Sequence, residues 1–95
     1  MTELINLQTA NGSFKYGKAI QDLIGMTENQ IIEKIQESEA DGVWITAVAL
    51  AILEKKFPED KELWELIAKK AKTFIKSNGK SNFDEIMKKV ATVLV

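Results

Sequence analysis

The stretch Val43-Trp44-Ile45-Thr46-Ala47-Val48-Ala49-Leu50-Ala51-Ile52-Leu53 is apolar at every position except Thr46. A run this length is too short to span a bilayer, which takes about 20 apolar residues, and reads instead as a buried helix. A helix that is apolar nearly all round has no face to give to water, so this one belongs at the centre with the others around it. It is expected over about 42–57, with Asp41 as a candidate cap and Pro58 as its stop. The Thr46 hydroxyl can bond back to the carbonyl one turn earlier, so its place in the run requires no ligand.

Beyond Pro58 the sequence predicts a helix over about 59–77. Proline suits a first helical turn, and Glu59, Asp60 and Glu62 suit its positive dipole end. Leu63, Trp64, Leu66, Ile67, Ala71, Phe74 and Ile75 recur at helical spacing as a core stripe, while Lys69, Lys70, Lys72 and Lys76 fill much of the rest. Asn78-Gly79 closes this helix. Ser81 to Asp84 is a cap pattern for a last helix over about 82–93, periodic in Phe83, Ile86, Met87, Val90, Ala91 and Leu94. The β-branched ending Val90–Val95 weakens its final turn.

Ahead of the central run, Ala19, Ile20, Leu23 and Ile24 mark a helix over about 17–24, and Gly25 can take the left-handed conformation that ends it. Thr27-Glu28-Asn29-Gln30 is a capping box for a helix over about 28–37 carrying Ile31, Ile32 and Ile35. Ser38 to Gly42 reads as a turn. Residues 1–16 form an arm. There Leu4, Asn6 and Gln8 alternate with Ile5, Leu7 and Thr9, and Asn11-Gly12 can be the centre of a type I′ hairpin turn. Because an isolated hairpin is marginal, an irregular arm or a short 3₁₀ turn is the other reading. In either, the turn redirects the arm so that Phe14, with Tyr16, plugs the core. Whether Leu4 to Leu7 is core or a partner's surface stays open. The expected fold is all-α: one compact four- to five-helix domain over residues 1–95, behind a short irregular or hairpin-like N-terminal arm.

Composition narrows the chemistry. The 95 residues are one domain's worth, 45% hydrophobic, with a net charge of −1. Charge is uneven: residues 1–41 hold seven acids and three lysines, residues 66–95 seven lysines and two acids. All 13 basic residues are lysine, and the absence of Arg argues against nucleic-acid readout. There is no Cys and no His, which removes disulfides, Cys/His zinc sites, Cys nucleophiles and His-based triads. No metal, cofactor or catalytic set has convincing spacing, and no small-molecule substrate is expected. The start lacks a signal-peptide pattern, and a cytoplasmic location is expected.

Several features have two readings. Asn11-Gly12-Ser13 is a tight turn or an anion cradle. Glu33/Glu37 and Glu62/Glu65 are solvated helix faces or acid–base pairs. Trp44 and Trp64 are core or interface anchors. The lysines at 69, 70, 72, 76, 80, 88 and 89 are a solvated face or a docking site for an acidic partner. Met26 and Met87 are ordinary packing or adaptable contact surface.

Three blocks carry a family resemblance: Ala10-Asn11-Gly12-Ser13-Phe14 behind the apolar Leu4-Ile5-x-Leu7, then Val43-Trp44-Ile45-Thr46-Ala47, then Leu63-Trp64-Glu65-Leu66-Ile67. Over residues 4–75 the chain resembles the C-terminal helical region of proteins that pair a VIT domain with a von Willebrand factor A domain. A related segment of vault poly(ADP-ribose) polymerase binds the major vault protein. Phe14 stands where the family usually has Trp, and Ile52 where an aromatic is common; both keep an apolar group. The resemblance implies no catalytic residue and no adhesion metal site. It implies a non-catalytic protein-interaction module, excised or free-standing, that attaches its parent protein or cargo to an assembly such as the vault particle through the major vault protein. The alternative is a structural domain that packs on its parent's other domains or self-associates. Candidate partner contacts are Leu4, Ile5, Leu7, Phe14 and Tyr16 in the arm, and Lys88 and Lys89 in the last helix.

Overall fold

In the computed structural model, which describes residues 2–35, 42–79 and 82–93, the apolar run is one continuous helix, Val43–Lys56. In chain order the α-helices are α1 (Thr2–Ile5), α2 (Lys18–Ile24), α3 (Glu28–Ile35), α4 (Val43–Lys56), α5 (Lys61–Asn78) and α6 (Phe83–Val93). A 3₁₀ turn at Pro58–Asp60 joins α4 to α5. The domain is all-α, and no strand occurs among the described residues. Every residue of α4 from Val43 to Leu50 is buried, as are Ile52 and Leu53. Helices α5 and α6 pack against α4, α6 also meets α3, and α1 lies on α2. Positions 36 and 37 of the third expected helix, the Ser38 to Asp41 part of the turn, the Asp41 and Ser81 caps, Lys80 and Leu94 lie outside the described residues.

Local signals fix several ends. The Thr27 N–H donates to Gln30 Oε1 at 2.9 Å and the Gln30 N–H to Thr27 Oγ1 at 3.2 Å, which completes the capping box. Gly25 is left-handed at φ +70 and its N–H donates to the Gln21 carbonyl. Asn82 caps α6, its Oδ1 accepting from the Glu85 N–H at 2.9 Å. Trp64 is core, and its indole N–H donates to the Phe57 carbonyl at 2.7 Å, fastening the corner between α4 and α5. Trp44 is buried too.

The arm is irregular and hairpin-like, as expected, and differs in detail from a type I′ hairpin and from a 3₁₀ turn. It opens with one helical turn, α1, because Leu4 points into the core and Ile5 packs against it. It then reverses through a three-residue loop, Ala10 to Gly12, and not through a two-residue turn centred on Asn11-Gly12. Thr9 N–H donates to the Ser13 carbonyl and Lys15 N–H to the Leu7 carbonyl, which flank a single antiparallel bridge between Gln8 and Phe14. Gly12 closes the loop at φ +95, the geometry of a three-residue hairpin loop that ends in a left-handed glycine.

Thr46 serves a different purpose from back-bonding. Its hydroxyl, fully buried, accepts the Phe14 backbone N–H at 2.8 Å. That N–H faces away from the bridge, so the one polar residue of the apolar run is the acceptor that seats the arm. Thr46→Val keeps the shape and removes the acceptor, leaving a buried donor unpaired. The expected cost is about 1–3 kcal/mol, read as a lower urea midpoint with an unchanged slope.

Candidate functional site

Five arm residues and two lysines came forward from the sequence, and the structure separates them. Leu4 and Phe14 are core residues, 0% and 2% exposed, so they present no surface on the folded domain. The helical turn of α1 seats Leu4 in the core, and the arm's reversal brings Phe14 against α4, where its N–H meets Thr46. Ile5, Leu7 and Tyr16 are partly buried against the same core. Leu7 lies over Gly17, where a Cβ would stand 2.7 Å from its Cδ2. The Tyr16 hydroxyl donates to the Met26 carbonyl at 2.7 Å. Burial, then the Glu28 and Asp22 carboxylates, push its pKa above the usual phenol value. Lys88 and Lys89 are exposed on α6.

The Asn11-Gly12-Ser13 loop turns its polar groups on itself. Asn11 Oδ1 accepts from the Ser13 N–H at 3.1 Å and the Ser13 hydroxyl at 2.8 Å, and the Gly12 N–H donates to the Thr9 carbonyl. These two amides are already used, so an anion cradle here lacks two of its three backbone donors. The loop is also seated on α5: Gln8 Nε2 donates to the Ile67 carbonyl at 3.0 Å.

Two surfaces remain. The first is an open cleft of about 650 Å³ between α5 and α6, lined by Lys72, Lys76, Asn82, Phe83, Asp84, Glu85 and Lys88. The Lys72 and Lys76 ammonium groups stand 5.1 and 5.9 Å from the centroid of the Phe83 ring, within cation–π range. Asp84 and Glu85 sit in the first turn of α6, where its dipole favours them. The cleft thus offers three cations and an aromatic ring, with two carboxylates at one edge. The charge distribution marks Lys88 and the lysines of α5 as one basic section, but gives no sign that Phe83 lies beside Lys72 and Lys76.

The second surface is apolar. Leu63 and Leu66 on α5 are 65% and 76% exposed, although the stripe reading placed both in the core. Trp64, Ala71, Phe74 and Ile75 take the buried face, which leaves the two leucines on its flank. Ile32 on α3 is exposed as well. At 100° per residue, Leu63, Leu66 and Lys70 lie roughly 130° around α5 from Lys72 and Lys76, so the two surfaces are distinct.

All described Asp and Glu side chains are exposed, including Glu62 and Glu65; Glu37, of the other pair, lies outside the described residues. No group of three metal-ligating side chains and no helix long and apolar enough to cross a membrane occurs among the described residues. Compared with known proteins, the chain matches no family model, no curated protein and no solved structure.

Proposed function

We propose that this chain is a non-catalytic protein-interaction module that attaches its parent protein or cargo to a larger assembly, the vault particle through the major vault protein being the named case. The observation that carries the reading is the cleft lined by Lys72, Lys76, Lys88 and Phe83, in which the first two ammonium groups stand over the Phe83 ring. Ammonium groups on flexible stems beside a ring suit an acidic segment with an apolar or aromatic side chain. The vault as destination rests on the resemblance over residues 4–75. A cytoplasmic setting accords with that destination.

Co-sedimentation with purified vaults tests it. The wild-type domain at micromolar concentration is expected to travel with the particles, less so as salt rises. Reversing two charges in Lys72→Glu/Lys88→Glu is expected to weaken retention about tenfold, since each tenfold step is 1.4 kcal/mol. Both lysines are exposed, so the variant should melt as the wild type does. Absence of wild-type co-migration overturns the vault assignment. Equal retention of the variant overturns the cleft.

A further inference from the structure

We infer that the exposed face of α5 pairs with the same face of a second copy of this chain, the two helices running antiparallel about a two-fold axis. Leu63 and Leu66 are the most exposed large apolar side chains among the described residues, and they sit one turn apart on one helix. What covers them is indicated by the charge order along that helix. Acids cluster at its start, with Glu59 and Asp60 in the 3₁₀ turn and Glu62 in the first helical turn. Lysines 69, 70, 72 and 76 occupy its second half. Helices laid parallel would set acid against acid and lysine against lysine. An antiparallel pair sets opposite signs together.

The register follows from the leucines. When Leu63 faces Leu66 of the second copy, each residue stands level with the one whose number makes 129 with its own. Glu59, in the 3₁₀ turn just ahead of α5, then falls near the level of Lys70 of the second copy. Glu62 falls within about one 5.4 Å turn of Lys69 of the second copy, on the same flank of the contact. The two-fold repeats both pairs, so one register gives a central four-leucine cluster and four opposite-charge pairs. The arm loop, held beside Ile67 and Lys70 by Gln8 and Gly12, borders this face. A contact of one helix on one helix falls at or below the low end of specific interfaces, about 1,200 Å² in total. The pairing is therefore weak and concentration-dependent. It is also salt-sensitive, because its charge pairs lie at the ends and one flank of the contact, open to solvent.

Light scattering and sedimentation equilibrium at low salt test the pairing, on protein up to about 1 mM, the concentration at which an association of about −4.1 kcal/mol is half complete. The wild type is expected to shift from monomer toward dimer with concentration. Leu66→Lys should weaken the shift by about tenfold or more, because a two-fold interface meets the substitution twice. Its melting should not change, since the side chain is solvated. The decisive arm uses two charge-reversed chains, Glu59→Lys/Glu62→Lys and Lys69→Glu/Lys70→Glu. Each alone sets like charges opposite and should stay monomeric. Mixed, they restore every pair and should form a heterodimer. A wild type that is strictly monomeric throughout overturns the inference. So does a mixture that stays monomeric, or a Leu66→Lys chain that dimerises as well as the wild type. Vault co-sedimentation of the Leu66→Lys chain reads the α5–α6 cleft separately, so the two proposals fail independently.

Discussion

Phe14→Ala is expected to destabilise the domain by about 3–5 kcal/mol, the range for emptying a buried aromatic site. Phe14 is 2% exposed and belongs to the same buried cluster as α4. Truncation removes the ring and leaves a void where α4 and the arm meet. The bond from the Phe14 N–H to Thr46 holds the backbone in place, so the arm is hindered from collapsing into that void. Native stabilities run about 5–15 kcal/mol, so the loss is a large share of the total. Thermal unfolding by circular dichroism should show it. At roughly 4–8 °C per kcal/mol for a domain this size, the midpoint falls by 12 °C or more. A shift under 4 °C would mean that the ring contributes little packing.

Gly12→Ala acts on the same arm by another route. Gly12 sits at φ +95, a region that costs an L-residue about 1–2 kcal/mol. A Cβ there would stand 2.5 Å from the Lys70 carbonyl oxygen and 2.9 Å from its carbon. Those are backbone atoms of a helix and cannot swing aside. The loop must lift, and the Gln8 bond to the Ile67 carbonyl goes with it. The expected total is about 2–4 kcal/mol, the strain plus one or two lost hydrogen bonds. Its signature differs from that of Phe14→Ala. Protection of the arm amides against hydrogen exchange should fall more than that of α4, and trypsin should cut after Lys15 under native conditions. An arm as protected as in the wild type would show that the loop tolerates a side chain.

The parts of the fold that could be read from sequence are those decided within one turn or by one face. The α4 run, the Thr27/Gln30 box and the Gly25 stop each involve neighbours a few residues apart, and each appears as expected. The arm does not follow from such rules. Gln8 and Ile67 are 59 residues apart and Phe14 and Thr46 are 32 apart, so no local pattern records either bond. The alternation along Leu4 to Thr9 suggested a strand; a core seat for Leu4 favours one helical turn instead. Leu63 and Leu66 carry their signal in the breadth of the stripe. With Trp64 and Ile67 they span roughly 160° of the helix at 100° per residue, more than one narrow core stripe. At the basic surface, composition marks the lysines, but only the packing of α6 on α5 shows Phe83 beside Lys72 and Lys76.

The arm's two long-range bonds also set an order in time. Each acceptor is synthesised after its donor: Thr46 follows Phe14 by 32 residues, and Ile67 follows Gln8 by 59. At about 5–20 residues per second on the ribosome, the Gln8 amide waits roughly 3–12 s for its carbonyl. During that interval the apolar surface of α4 can gather beneath an open edge. The segment made early is thus the one whose seat is finished late, and it seals the core after α5 has emerged.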